Sequence, residues 1–224
     1  MPRLKRPTVP WSMERKKARF VTAPRGAHRK DESIPLLVVI RDMLELGENA
    51  KEAKSIIKGR EVKVDGRIMT DTKSGIGLFD VVTVGGKSYR MVPGKVMRAI
   101  EIPENEADRK VCKIIGKVVL KGGKIQLNLH DGRNMLVEED KYSVNDSLLI
   151  QLPEQKIIDA VKFEPGILVI IISGKHSGKI AKLKKIEKGM VKRVWLETEG
   201  REMETPMRVV MGIGSKEPLI KTGE

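Results

Sequence analysis

Three groups of basic residues hold the chemistry that this sequence offers. Between Ile34 and Met69, Arg41, Lys51, Lys54, Lys58, Arg60, Lys63 and Arg67 all fall off an apolar stripe. A second group crowds the first thirty residues: Arg3, Lys5, Arg6, Arg15, Lys16, Lys17, Arg19, Arg25, Arg29 and Lys30, with Trp11 and His28 among them. The third, Lys175, His176 and Lys179, lies in Ser173-Gly174-Lys175-His176-Ser177-Gly178-Lys179, where glycines let backbone come close to an anion. Guanidinium and ammonium groups bind phosphate oxygens through short charge-assisted hydrogen bonds. Phosphate binding is therefore the expected chemistry, and these residues are its candidates.

Nothing comparable points to catalysis. Gly86-Lys87-Ser88 looks like the end of a nucleotide-binding loop, but Val81 stands where the required glycine belongs and the context is a hairpin. His130-Asp131 has no serine or cysteine nucleophile placed beside it, and a histidine at a strand end is usually a turn residue. The single cysteine, Cys112, excludes an intrachain disulfide and a cysteine-rich zinc site. Its neighbours Val111, Ile114 and Ile115 mark it as a core thiol. No catalytic residue, metal, cofactor or small-molecule substrate is expected.

The elements that position the central basic group are legible. In IPLLVVIRDMLEL, Leu36/Leu37, Ile40 and Met43/Leu44 recur at spacings of three and four, which predicts a helix with one buried stripe. Asn49 can cap a second helix, with Glu52 completing a capping-box pattern, Ala50, Ala53 and Ile56/Ile57 as its stripe and Gly59 as its stop. EVKV, Asp65-Gly66 and RIMT then predict a hairpin. A helix pair and hairpin with one charged face suits a phosphate backbone.

Charge and composition narrow the partner. The 224 residues carry a net charge of +14. Residues 1–30 hold ten Lys and Arg against one acid, Glu14. Such a concentration points to a polyanion. No apolar face accompanies it, so nucleic acid is favoured over a membrane. Only seven aromatics occur: Trp11, Phe20, Phe79, Tyr89, Tyr142, Phe163 and Trp195. Single-strand binders stack bases on aromatic side chains, so this scarcity favours folded RNA read by backbone and shape. The longest apolar run, Ile167 to Ile172, is far too short to span a membrane. The basic N-terminus leads into no apolar segment, so no signal peptide is expected, and the whole fits a reducing cytosol.

The expected class is α+β with several domains. Residues 1–33 read as a basic arm, broken by Pro2, Pro7, Pro10 and Pro24, with one short helix from Ser12 to Phe20. Free in solution the arm should be largely disordered, and counterion release should favour its ordering on RNA. Residues 34–92 form the helix-helix-hairpin module, which includes a further hairpin around Gly85-Gly86. Residues 93–165 read as a central small β domain with strands at Lys113–Leu120, Ile125–His130, Met135–Glu138, Ser147–Leu152 and Lys156–Phe163. Residues 166–224 hold a second β unit, 166–215, and a C-terminal tail; the unit has an apolar strand at Ile167–Ile172, then the glycine-spaced basic loop, the apolar positions Ile180, Leu183 and Ile186, and the run Val191–Leu196.

These pieces resemble a known family. The tail LKRPTVPWSMERKKARFVTAPRGAH, then SIPLLVVIRDML, EAKSIIKGREVKVDGRIMTD and GLFDVV, then KGGKIQLNLHDGRN and NDSLLIQLP, and finally ISGKHSGKIAKLKKI are similar, in this order, to the S four e family of archaeal and eukaryotic small-subunit ribosomal proteins. Within it, the second group resembles the RNA-binding module of the bacterial S-four type, and the last resembles the KOW motif. Pro24-Arg25-Gly26-Ala27-His28 replaces the family's Pro-Gly-Pro-His pattern, and Ala181 stands at the last glycine of the KOW motif. The long basic C-terminal extension of eukaryotic members is missing, which suggests an archaeal chain. The resemblance implies an SH3-like barrel for the KOW unit and a structural role in the small subunit. Its implied partners are small-subunit ribosomal RNA and neighbouring small-subunit ribosomal proteins, in the cytoplasm.

Two other functions fit parts of the pattern. An RNA-modifying enzyme could use the 34–92 module for targeting, as pseudouridine synthases do, but their Arg-Leu-Asp motif is absent. A transient transcription or translation factor could use the KOW segment, but such factors usually carry an α/β domain in front of it. The expected mechanism is docking of the module by shape and phosphate contact, with the arm threading between RNA helices. If about six arm cations meet phosphates, deleting residues 1–30 should flatten the logarithmic salt dependence of binding by roughly four units, at about 0.7 per phosphate.

Overall fold

The structure, a computed structural model, describes residues 3–5, 20–187, 189, 192–198 and 200–223. The helix expected from Ser12 lies outside the described residues, except that Phe20 falls in a strand. Strands β1 (Arg3–Lys5) and β2 (Phe20–Thr22) pair antiparallel, Leu4 opposite Val21. The chain then forms β3 (Ile34–Pro35), α1 (Leu36–Val38), a π-helical turn at Val39–Met43, α2 (Ala50–Lys58), β4 (Val62–Val64), β5 (Arg67–Ile68), β6 (Gly75–Ile76), β7 (Val81–Val84), β8 (Lys87–Val92) and β9 (Arg98–Ile102). Two compact units result. The first takes residues 1–92, 96–110 and 152–154; the second takes 93–95, 111–151 and 155–224. The fold is mixed and rich in β-sheet.

In the first unit, the antiparallel sheet runs β5-β4-β7-β8-β9. Ile34, Leu36, Val39, Ile40, Ala53 and Ile57 pack with Val62, Val82 and Met91 in its core. The first helix differs from its expected form. Pro35 disfavours helical geometry at Ile34, and Ile34–Pro35 pairs with Gly75–Ile76 instead. Helix begins only at Leu36, and Leu44 N donates to Val39 O at 2.9 Å, a wider turn than an α-helix makes.

The second helix follows its sequence. Asn49 Oδ1 accepts from Lys51 N at 2.8 Å and Glu52 N at 3.1 Å. Glu52 reaches back to Glu48 N and to the Asn49 amide, at 3.0 and 2.7 Å. Gly59 caps the helix with φ −65°, and the left-handed residue is Arg60, at φ +62°. Asp65 and Gly66 both have positive φ, as do Gly85 and Gly86. This is the type I′ geometry that matches the twist of two-residue hairpins.

Residues 21–33, expected in the arm, are fastened to this unit. Val21 and Ala23 are buried, and Arg25 bridges Ser74. Residues 98–102, expected within the central segment, form β9 and pair with β8.

The second unit holds two five-stranded antiparallel sheets, apart from Arg109 and Lys110, which open one of the strands and fall in the first unit. Strands β10 (Arg109–Val119), β11 (Ile125–Leu129), β12 (Asn134–Val137), β13 (Ser147–Gln151) and β14 (Lys156–Val161) run in the order β12-β11-β10-β13-β14. Cys112, Ile114, Leu127, Leu129, Leu148 and Ile150 form its core. Strands β15 (Leu168–Ile171), β16 (Ile180–Glu187), β17 (Arg193–Thr198), β18 (Arg201–Pro206) and β19 (Val210–Gly214) run β18-β17-β16-β15-β19. Val169, Ile171, Leu183, Val194, Leu196 and Val210 pack on this sheet. The last two strands carried no sequence expectation: β18, Arg-Glu-Met-Glu-Thr-Pro, is dominated by polar residues, and β19 is split by glycines.

Candidate nucleic-acid interface

Helix α2 sets the most regular row of cations. Its apolar positions Ala53 and Ile57 are buried, and Lys51, Lys54 and Lys58, spaced by three and four, are exposed along another side. Arg60 follows exposed. On the hairpin, Lys63 projects between buried Val62 and Val64 and stands opposite Ile68. Arg67 stands opposite Val64, so the pleat sends it to the other face of the hairpin from Lys63. The hairpin cations therefore do not share one face. Arg41 is half-buried in the π-helical turn, and its guanidinium grips the Asp42 carboxylate at 2.6 and 2.7 Å.

Arg25, Arg29 and Lys30 are exposed on the segment fastened to the first unit. Arg29 pairs with Asp31 at 3.0 Å and lies 3.6 Å from Glu32, contacts that are weak in water. Arg3 and Lys5 lie in β1. Arg6, Trp11, Arg15, Lys16, Lys17 and Arg19 lie outside the described residues. In the second unit, Lys175 and Lys179 are exposed and His176 is half-buried in the loop between β15 and β16. Ser177 N donates to Gly174 O and Lys179 N to His176 O, at 3.1 and 3.2 Å. Gly178 has φ +90°, and a Cβ there would stand 2.8 Å from Pro93 O.

A buried ionic cluster lies in the first unit. Lys110, fully buried, donates to Asp65 Oδ2 at 2.9 Å and to Asp80 Oδ1. Asp65 Oδ1 accepts from Val81 N at 2.9 Å, and Asp80 Oδ2 accepts from Gly77 N at 2.7 Å. His28 Nε2 lies 2.8 Å from Asp80 Oδ2, with its side chain 13% exposed. Burial opposes ionisation of Asp80, but Lys110 and His28 outweigh it and hold the carboxyl far below the ordinary carboxylate range. The Arg90 guanidinium is also enclosed. It donates to a Glu106 carboxylate oxygen at 2.8 Å and to the carbonyls of Glu106 and Arg109 at 2.9 and 3.0 Å, while burial lowers its pKa.

The second unit buries Lys113. Its ammonium donates to the carbonyls of Met207, Arg208 and Val210 at 3.1, 3.4 and 2.6 Å, and burial pushes its pKa down to about 8. Sequence reasoning missed all five of these interior charges. Asp65 read only as a turn residue, and alternation gives no sign that a lysine faces inward. Among the described residues, no three His, Cys, Asp or Glu side chains gather as metal ligands, and no helix is long and apolar enough to cross a membrane.

The same architecture occurs in a solved structure. The crystal structure of the 30S ribosomal protein S4e from Thermoplasma acidophilum matches with a TM-score of 0.75 and 32% identity, over 84% of this chain and 97% of that one. Small ribosomal subunit protein eS4 of Ignicoccus hospitalis is 40% identical over 99% of this chain and 94% of its own length. The protein of that name from Methanocaldococcus jannaschii is 42% identical over 97% and 96%. The model of ribosomal family S4e matches residues 85–157. With two relatives aligned along almost the whole chain at this identity, and with a shared fold, the chain belongs to the ribosomal S4e family.

Proposed function

We propose that the protein is a structural constituent of the small ribosomal subunit and binds ribosomal RNA through phosphate contacts. The observation that carries this reading is the near full-length likeness to proteins named for that subunit. The exposed lysine row of α2 supports the RNA contact, since three ammonium groups along one helical face can follow a phosphate backbone.

Four segments divide the work in this reading. The arm, residues 1–33, neutralises phosphates through Arg3, Lys5, Arg6, Arg15, Lys16, Lys17, Arg19, Arg25, Arg29 and Lys30, and threads Trp11 into RNA or against the module. Residues 34–92 act as the helix-helix-hairpin RNA-binding module, using Arg41, Lys54, Lys58, Arg60, Lys63 and Arg67. Residues 93–165 form the central β domain. Residues 166–224 act as the SH3-like KOW barrel, whose loop presents Lys175, His176 and Lys179. The order β18-β17-β16-β15-β19 and the glycines at 174 and 178 support that last assignment. Ribosomal RNA and adjacent small-subunit proteins are the partners, in the cytoplasm, and the role is architectural.

Sedimentation of native lysate through gradients at moderate and high salt tests the proposal. The protein should travel with small subunits at both, near one copy per particle. Release at high salt, or a pool mainly outside ribosomes, would favour a transient factor.

A further inference from the structure

The segment from Arg25 to Ser33 is fixed at both ends and in the middle. At its start, Arg25 N donates to Lys73 O at 2.7 Å and Arg25 O accepts from Gly75 N at 2.6 Å. At its end, Ser33 Oγ donates to Arg29 O at 2.8 Å, Glu32 N donates to the same carbonyl at 3.1 Å, and Ile34 enters β3. Between these points, His28 is inserted inward. Its Nε2 meets the buried Asp80 carboxylate, and its ring lies over Gly77. A Cβ on Gly77 would stand 2.2 Å from His28 Nδ1 and 2.8 Å from Cγ, so only glycine leaves room for the ring. Arg25, Arg29 and Lys30, on either side of this histidine, point to solvent.

We infer that His28 is a positioning residue for RNA binding: a peg that holds Arg25, Arg29 and Lys30 as a preorganised phosphate clip. The inference rests on the proposed RNA-binding function and refines it. Asp80 is itself fixed by Lys110 and Gly77 N, so the peg is anchored in a buried ionic cluster. A clip already ordered in the free protein does not lose loop freedom when phosphate binds. His28 thus acts from beneath the surface, without touching the nucleic acid.

The test uses the full chain and transcribed small-subunit rRNA of Methanocaldococcus jannaschii. His28→Ala, which removes the peg, and Gly77→Ala, which displaces it, should each weaken binding by about three- to tenfold. Both should leave the slope of log affinity against log salt unchanged, because every phosphate-binding cation remains. Trypsin should cut after Arg25, Arg29 and Lys30 faster in both than in the parent protein. His28→Gln, whose amide can still donate to Asp80, should recover most of the affinity, and it carries the test should His28→Ala not fold.

Three results overturn the peg. Affinity could stay at the parent value although trypsin shows the segment released. Gly77→Ala could bind normally while His28→Ala lowers the salt slope, which would make His28 a direct phosphate contact. Alternatively, Arg25→Gln/Lys30→Gln could leave both affinity and slope unchanged. That last result removes the phosphate contacts themselves, and so separates a failure of the underlying reading from a failure of the peg alone.

Discussion

Burial of Lys113 and the charges around Asp80 make stability depend on pH in two separate windows, and in both of them stability rises with pH. Lys113 titrates near 8 in the folded protein against 10.5 when exposed. Between those values the unfolded chain holds more protons, so stability rises as pH climbs from about 8 to 10.5 and is flat below. The full change is about 3 kcal/mol. Urea unfolding of the parent and of Lys113→Met from pH 7 to 10.5 should show the gap between them move by that amount in the parent's favour. Parallel curves would mean that the ammonium stays solvated. Asp80 has a folded value below its ordinary 3.8. Its contribution is therefore complete above that pH and lost as pH falls below it. Asp80→Asn removes a carboxylate shared by Lys110 and His28, and should destabilise the protein by about 3–5 kcal/mol at neutral pH. Below pH 4 the gap between variant and parent should narrow; a constant gap would show that Asp80 is not ionised in the fold. None of this was legible in the sequence. Asp65, Asp80, Arg90, Lys110 and Lys113 acquire their roles only from partners up to 97 residues away.

Elements were legible where a local rule governs them. Asn49 and Glu52 marked the start of α2 because capping depends on backbone within one turn. Asn49→Ala removes the acceptor of two amide protons and should lower the unfolding free energy by about 1 kcal/mol; an unchanged denaturation midpoint would show that the cap bonds are replaced by water. The hairpin at Asp65-Gly66 was legible for the same reason. Helical periodicity gave no sign of the pairing of Ile34 with Ile76, because that contact is tertiary. The β15–β16 loop permits a sharper comparison. Gly174 and Gly178 both have left-handed φ, but only Gly178 faces a nearby atom, the carbonyl of Pro93. Gly174→Ala should cost about 1 kcal/mol from backbone strain alone, and Gly178→Ala clearly more. Thermal melts of the two variants decide it, and equal losses would show that the Pro93 carbonyl moves aside.

At the scale of the whole molecule, the decisive feature is that positive charge does not follow mass. Ten of the 44 Lys and Arg lie in the first thirty residues with a single acid. Many cations of the second unit are matched instead: Lys184 lies 3.4 Å from Glu197 and 2.7 Å from Glu202, and Arg193 lies 2.6 Å from Glu204. Composition made this imbalance visible without a structure, since it needs no knowledge of what packs on what. The composition of the two units was not visible, because β9 and residues 152–154 join a unit formed mostly by earlier chain. Charge that is matched internally adds little to a polyanion's pull, whereas unmatched charge displaces counterions. Replacing Arg15, Lys16, Lys17 and Arg19 by glutamine should therefore make the slope of log affinity against log salt shallower by about 3, at about 0.7 per phosphate contact. Lys184→Gln should leave that slope as it is, although it removes the same charge per substitution. Filter binding to small-subunit rRNA from 50 to 400 mM salt measures both. If the quadruple variant keeps the parent slope, the amino-terminal cations do not contact phosphate. If Lys184→Gln lowers the slope as much as one arm residue does, overall charge rather than its placement drives binding.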